Sequence, residues 1–172
     1  MFGPLAGEAR TDAARAWELV KQNETQGILA QVPELLLVAN ALCNSGLMSD
    51  CLEVVTRANG RAIAFDDKVV ALRLMGAAHL ALSDIPDGRR SFAEADALKA
   101  DTTVAPQNVM MQRYSTNIFW AQSEANVGNV PAALARLDVA DQIVNSMTVP
   151  QAMKVQLRTS TQKIREQLSP AP

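Results

Sequence analysis

Aromatic side chains are scarce in this sequence, making up 4% of its 172 residues. Small and aliphatic side chains must therefore fill most of the core, because the large aromatic anchors of many globular proteins are few. Hydrophobic residues still account for 48% of the chain, which is ordinary for a globular protein. The length is sufficient for one domain with a substantial core, and closely packed, alanine-rich helices suit this composition.

Basic charge is not in excess either. Sixteen Lys and Arg residues against eighteen Asp and Glu residues give a net charge of -2, whereas nucleic-acid-binding proteins usually carry a basic surplus that neutralises phosphates. The best basic cluster, Arg89 and Arg90 with Arg57 and Arg61, has no aromatic residues interleaved for stacking on bases. Nucleic acid is therefore not expected as a partner.

Long apolar runs are also missing. The best candidate, residues 35–43, is interrupted by Asn40 and is far shorter than the roughly 18 residues that a membrane span needs. The N-terminus has neither the basic start nor the apolar stretch of a secretory signal. The sequence thus predicts no membrane span and favours a cytoplasmic location. A periplasmic or envelope location is the alternative if a signal was removed.

Histidine occurs once, at His79. One histidine cannot supply a histidine-rich metal site, and no nucleophile accompanies it as a catalytic partner, so a packed core role is expected. Asp84 and Asp87 are interpreted as a capped turn, since the distal ligands of a calcium loop are absent. Asp138 and Asp141 are interpreted as solvated helix charges. No catalytic residue, cofactor or metal ion is predicted, and the protein is not expected to be an enzyme.

Cysteine occurs twice, at Cys43 and Cys51, on the two sides of a predicted helical turn. Their thiols could approach bridging distance. Two reduced core thiols are the preferred interpretation, and a disulfide is the alternative. A disulfide would indicate an oxidising compartment.

What the chain does contain is a repeated spacing of small residues. In three segments a small residue is followed by others seven, twelve and nineteen positions later, and by a large apolar residue at sixteen. Small residues let paired helices approach closely, and glycine in a turn permits the left-handed backbone that ends a helix. The pattern therefore predicts three helical hairpins. The small sets are Ala39, Gly46, Cys51, Ala58; Gly76, Ser83, Gly88, Ala95; and Ala121, Gly128, Ala133, Ala140, with Val55, Phe92 and Leu137 as the large residues.

Turn and capping residues set the predicted boundaries. Thr11 or Asp12 is expected to cap a first helix, and one helical domain is predicted over residues 11–168. The elements are a flexible lead-in over 1–10, hairpins over about 33–60, 66–100 and 107–146, a capping helix over 149–168 with the apolar stripe Met153, Leu157, Ile164 and Leu168, and a frayed tail over 169–172.

The spacing resembles the tetratricopeptide repeat, a helix–turn–helix motif of about 34 residues. The second segment is the most similar, with Leu72, Gly76, His79, Asp84, Gly88, Phe92 and Ala95; the third follows with Trp120, Ala121, Gly128, Asn129, Ala133, Leu137 and Ala140. Several positions depart from the family. Cys51 stands where alanine is usual, Asn117 and Glu124 replace bulky apolar residues, and the proline expected near the end of each repeat is replaced by Ile63, Ala100 and Asn145. The resemblance implies an all-α superhelix of about three αα-hairpins with flanking helices.

The resemblance also implies a binding surface, because tetratricopeptide repeats typically hold partners in a concave groove lined by the first helix of each hairpin. Carried over to this chain, the groove residues are Leu36, Asn40, Cys43 and Asn44, then Arg73, Ala77, Leu80 and Ala81, then Ile118, Gln122, Ala125 and Asn126. Asparagine offers both a donor and an acceptor to a peptide backbone. An extended or helical peptide ligand is expected.

A non-catalytic protein-binding module, serving as a scaffold or assembly factor, is the leading interpretation. A narrower alternative is a secretion chaperone, since class II chaperones of bacterial type III secretion are similar in length, acidity and repeat number. A structural alternative is self-association as a homodimer through Trp17 or the stripe of the last helix. The groove lacks the several basic residues that would clamp a partner's terminal carboxylate, so that mode is not expected.

Overall fold

The part of the chain that the structure describes consists of α-helices joined by short connections. A computed structural model describes the backbone of residues 4–168 and the side chains from residue 7, with eight α-helices and no strand in that range. The helices are α1 (Pro4–Thr25), α2 (Val32–Asn44), α3 (Met48–Arg61), α4 (Phe65–Ala81), α5 (Ile85–Ala97), α6 (Pro106–Asn126), α7 (Val130–Ser146) and α8 (Gln151–Leu168). The predicted tail at 169–172 lies outside the described residues. None of the described helices is long and apolar enough to cross a membrane.

Neighbouring helices pack in pairs. Helix α2 packs on α3, α4 on α5 and α6 on α7, so each predicted hairpin is a packed helix pair. Helix α4 also contacts α2 and α6, which places the first helices of the three pairs side by side. Helix α1 lies against α2, and α8 lies against α7 and α6. The prediction of an all-α protein built from packed helix pairs is confirmed.

One backbone geometry closes all three hairpin turns. Gly46, Ser83 and Gly128 have φ angles of +75°, +68° and +82°. The next amide in each turn donates to a carbonyl five residues earlier: Leu47 to Leu42 at 2.9 Å, Asp84 to His79 at 2.9 Å and Asn129 to Glu124 at 2.8 Å. This is the hydrogen bonding of a helix that ends on a left-handed residue. The left-handed geometry predicted for Gly46 and Gly128 is confirmed, and Ser83 adopts it without being glycine.

The repeated small residues outside the turns are all buried. They are Ala39, Cys51, Ala58, Gly76, Gly88, Ala95, Ala121, Ala133 and Ala140. Gly76 shows why bulk is excluded, because a Cβ atom there would lie 2.5 Å from the ring of Phe92. Helix α5 can therefore pack closely on α4, because α4 has no side chain at Gly76 to obstruct the Phe92 ring.

The N-terminal helix begins earlier than predicted. Helix α1 begins at Pro4, so residues 4–10 are helical rather than part of a flexible lead-in, and residues 1–3 lie outside the described residues. Thr11 lies inside the helix, where its hydroxyl donates to the Gly7 carbonyl at 3.0 Å. Ala13 and Trp17 are buried in the core of the first hairpin. Packing of Ala13 and Trp17 on the first hairpin therefore stabilises α1, although the sequence at its start has no strong helix-capping residue.

Of the two surfaces predicted for self-association, Trp17 is covered within the chain itself and the α8 stripe is partly covered. Trp17 is 1% exposed and belongs to the first core cluster. On α8, Leu157 packs against the cluster around Tyr114, and Ile164 and Leu168 pack against the cluster around Leu137. Burial therefore removes Trp17 as a surface for self-association, whereas Met153 of the α8 stripe is 39% exposed, and a homodimer through α8 stays a prediction.

Ion pairs fasten α8 to α7. Arg165 donates to Asp138 and to Asp141, both at 2.9 Å. The two aspartates remain solvent-accessible helix charges, as predicted, and each also pairs with the Arg165 guanidinium of α8. Helix α8 is thus held by charge as well as by its apolar stripe.

The two polar residues that depart from the family pattern are buried and bonded. Asn117 donates to the Asp96 carboxylate at 2.9 Å. The Glu124 side chain is 1% exposed and accepts hydrogen bonds from Arg89 at 2.7 and 3.0 Å. It also accepts from Trp120 at 3.1 Å and from Asn129 at 3.0 Å. Glu124 therefore links α5, α6 and the start of α7.

A disulfide joins the two helices of the first hairpin. Cys43 and Cys51 are bonded, with their Cα atoms 5.3 Å apart. The preferred interpretation of two reduced thiols is wrong. The turn over residues 45–47 folds the end of α2 back onto the start of α3, which brings the two thiols together.

Reduction of this disulfide should lower the free energy of unfolding by about 2 kcal/mol, because the bond restricts a short loop of the unfolded chain. The measurement is urea unfolding with and without a phosphine reductant. The double variant Cys43→Ala/Cys51→Ala is the control, and its stability should not respond to the reductant. An equal response of both proteins would show that the reductant acts elsewhere.

Candidate binding groove

Two cavities lie along the first helices of the hairpins and share Phe119 as a lining residue. We call them the Arg73 cavity and the Asn126 cavity, and together they form the groove. The Arg73 cavity has a volume of about 260 Å³ and is lined by Asn40, Val70, Arg73, Leu74, Tyr114, Ser115, Ile118 and Phe119. The Asn126 cavity has a volume of about 410 Å³ and is lined by Cys43, Asn44, Met48, Ala77, Phe119, Gln122, Ser123, Ala125, Asn126, Ile164, Gln167 and Leu168.

Most of the groove residues predicted from the sequence line these cavities. Asn40, Arg73 and Ile118 meet in the first; Cys43, Asn44, Ala77, Gln122, Ala125 and Asn126 meet in the second. They come together because α2, α4 and α6 lie side by side and present the same face. Whether a partner binds there stays a prediction.

Three predicted groove residues lie elsewhere. Leu36 is 7% exposed and belongs to the core of the first hairpin. Leu80 is 1% exposed and occupies the space beside Gly88, where a Cβ atom would lie 2.8 Å from the leucine side chain. Ala81 is exposed at the end of α4 and lines neither cavity. The two leucines that family spacing placed in the groove, Leu36 and Leu80, thus pack in the core between helices.

The sequence missed the contribution of α8 to the groove. Ile164, Gln167 and Leu168 line the Asn126 cavity, although the last helix was predicted only as a cap. The spacing of Ile164 and Leu168, one helical turn apart, indicates an apolar stripe. It does not tell which part of the hairpins that stripe covers.

The five exposed amide side chains of the groove are Asn40, Asn44, Gln122, Asn126 and Gln167. Within the described part of the chain none of these side chains has a hydrogen-bond partner. Each therefore keeps donors and an acceptor available to another molecule. Between them lie the apolar side chains of Ala77, Ile118, Phe119 and Ala125.

Arg73 is the one charged residue that lines the groove as the structure describes it. Burial lowers the pKa of Arg73, and the attraction of Asp66 acts in the opposite direction. Asp66 itself accepts a hydrogen bond from the Gln112 amide at 2.8 Å. Among the described residues, the Arg73 guanidinium has no hydrogen bond and no ion pair.

Charged residues at the other candidate sites pair with one another. His79 is half-buried, and its Nδ1 atom lies 3.0 Å from an Asp84 carboxylate oxygen, while Asp87 pairs with Arg90 at 2.6 Å. Ligand atoms of His79, Asp84 and Asp87 lie within 4.8 Å of one another. The histidine predicted as a packed core residue is thus a partner of the α4–α5 turn.

A larger open cleft, of about 850 Å³, lies where the α5–α6 connection leaves the hairpins. Its wall is mostly apolar, with Leu98, Val104 and Met110 among the lining residues. Among its charged residues, Asp96 and Arg113 form an ion pair at 3.3 Å, and the Asp96 carboxylate also accepts a hydrogen bond from Asn117. The arginine of this cleft, Arg113, thus has an ion-pair partner, whereas Arg73 of the groove has none among the described residues.

Comparison of the chain with protein-family models, with curated proteins and with solved structures finds no match. The geometry of the groove is therefore the basis on which a function is assigned.

Proposed function

We propose that this chain is a tetratricopeptide-like, non-catalytic binding module that holds an extended or helical segment of a partner protein in the groove. The observation that carries the proposal is a set of exposed amides along an apolar floor, none of which has a hydrogen-bond partner among the described residues. Four of these amides come from α2 and α6, on opposite sides of α4, and the fifth, Gln167, comes from α8.

An extended peptide has the matching chemistry. Its backbone alternates donors and acceptors, which an asparagine or glutamine side chain can satisfy from one end. Its side chains can enter the apolar space beside Ile118 and Ala125. A small ligand would leave much of this surface unused, because the two cavities follow one another along the helices.

The disulfide bears on where such a module works. Thiols in the cytosol are kept reduced, whereas disulfides persist in the periplasm and other oxidising compartments. The Cys43–Cys51 bond therefore supports an assembly or scaffolding role in an oxidising compartment over the cytoplasmic location that the sequence favours. Mass spectrometry of the protein from its native host, with free thiols trapped on lysis, tests this: extensive labelling of Cys43 or Cys51 would contradict it.

A random 12-residue peptide library with amidated C-termini tests the binding proposal. The immobilised protein should enrich recurring sequences. The double variant Asn44→Glu/Asn126→Glu should bind the recovered peptides at least about tenfold more weakly, because charge and bulk replace two recognition amides. Binding is measured by fluorescence anisotropy.

The control is Asn108→Glu, which makes the same chemical change at an exposed position of α6 outside the groove. It should bind the recovered peptides like the unaltered protein. If the library yields no recurring sequence, or if the groove variant binds as well as the control, the groove is not the binding surface.

A further inference from the structure

Arg73 stands apart from the other half-buried arginines of the described chain. Four of them pair with carboxylates: Arg57 with Glu24 and Glu53, Arg89 with Glu124, Arg113 with Asp96, and Arg165 with Asp138 and Asp141, all within 3.3 Å. A fifth, Arg136, stacks over the Trp120 ring at 3.5 Å from its centroid. Arg73 alone in this set has no such partner among the described residues.

The geometry points to an acidic ligand: we propose that the partner segment held in the groove carries an aspartate or glutamate whose side-chain carboxylate pairs with Arg73. The inference rests on the proposed function and names the chemistry of its ligand. A guanidinium that has lost part of its hydration without gaining a partner is costly, and a carboxylate that binds it restores the lost interactions.

Within the part of the chain that the structure describes, no group fills this role. Asp66, the acidic residue that attracts Arg73, is engaged with Gln112 and lies beyond ion-pair distance. The Tyr114 hydroxyl donates to the Leu157 carbonyl at 3.0 Å. The guanidinium therefore lines an open cavity in which the remaining polar neighbours are the Asn40 amide and the Ser115 hydroxyl.

The surroundings of Arg73 favour a side-chain carboxylate over a chain terminus. Val70, Leu74 and Ile118 form apolar walls around a single cation. A clamp for a terminal carboxylate would call for several basic residues converging on it, and the cavity supplies one guanidinium. An internal Asp or Glu flanked by apolar residues fits this cavity, because its carboxylate can pair with Arg73 while its neighbours contact the apolar walls.

The experiment uses the amidated library of the previous subsection against the unaltered protein and Arg73→Gln. Peptides recovered by the unaltered protein should share Asp or Glu at one position. Replacing that residue by Gln or Asn should weaken binding by about tenfold. Arg73→Gln should bind the acidic and the neutral peptide equally. Arg61→Gln, which removes an exposed arginine outside the groove, should keep the tenfold preference.

The outcomes separate the two proposals. Recurring peptides without a fixed acidic position, or an acidic preference that survives in Arg73→Gln, would overturn the inference and leave the proposed function standing. A library that yields no recurring peptide would overturn both. An acidic preference that appears only in a second library with free C-termini would assign Arg73 to a terminal carboxylate and overturn the side-chain assignment. Thermal unfolding should show no loss of stability in Arg73→Gln, because the guanidinium makes no hydrogen bond or ion pair with the described residues that the substitution could remove.

Discussion

Replacing Gly76 with alanine should lower the free energy of unfolding by about 3 kcal/mol, at the upper end for an overpacked core. The added methyl group would lie 2.5 Å from the Phe92 ring. That ring cannot simply move away, because it is fully buried and stacks on Trp120 with ring centroids 5.4 Å apart. The substitution must therefore push α4 and α5 apart or tilt the stacked pair.

The matched control is the same substitution at Gly60, near the end of α3. A Cβ atom at Gly60 would meet nothing within 4 Å. Alanine there should stabilise the protein by roughly 0.5 kcal/mol, because it favours the helix more than glycine does. Urea unfolding of both variants gives the comparison. Equal effects of the two substitutions would mean that close approach of the helices does not depend on Gly76.

Replacing Glu124 with glutamine should cost about 2 kcal/mol at neutral pH. The carboxylate accepts hydrogen bonds from Arg89, Trp120 and Asn129. A glutamine side chain would turn an NH₂ group toward at least one of these donors and leave it unsatisfied. The estimate is below that for a fully buried ion pair because Arg89 is partly exposed, and solvent screens its charge.

The effect of Glu124→Gln should depend on pH. Burial acts to raise the pKa of Glu124, but hydrogen bonds from Arg89 and Trp120 outweigh it, so the pKa is lowered from its usual value of 4.5. A carboxyl group whose pKa is lower in the folded state stabilises the protein above its unfolded pKa. That contribution is lost as the pH falls through the folded pKa. The stability difference between the two proteins should thus be full at pH 7 and shrink below about pH 4.5.

The measurement is urea unfolding of both proteins at several pH values between 7 and 3. The control Glu94→Gln makes the same change on the exposed face of α5, where the described residues offer no hydrogen bond or ion pair. It should change stability by less than about 0.5 kcal/mol at any of these pH values. A Glu124→Gln effect that does not vary with pH would show that the ionised carboxylate is not what stabilises the junction of α5, α6 and α7.

The repeat spacing predicted the hairpins well because each hairpin depends on local signals. Residues in the turns at Gly46 and Gly128 need a left-handed backbone, and glycine provides it without strain. The small residues mark where two consecutive helices touch. Both features are set by residues close together in the chain, so they are visible without the rest of the fold.

Contacts between distant parts of the chain were predicted less well. Glu124 is a break in the apolar pattern from sequence alone, yet it accepts hydrogen bonds from Arg89, a residue 35 positions away. Leu80 was assigned to the groove, but its side chain packs in the core against Gly88, where no side chain occupies the space. Trp17 was offered as a dimer surface and is covered by the first hairpin.

The sequence by itself determined the class of the fold, the three helix pairs and the face of α2, α4 and α6 on which most of the groove lies. These follow from helical periodicity and from local turn geometry. Only the tertiary structure decided that the cysteines are bonded, that α8 closes one side of the groove and that Arg73 has no hydrogen-bond or ion-pair partner among the described residues. Such features depend on which residues from distant parts of the chain come into contact. The spacing of residues along the sequence does not specify those contacts.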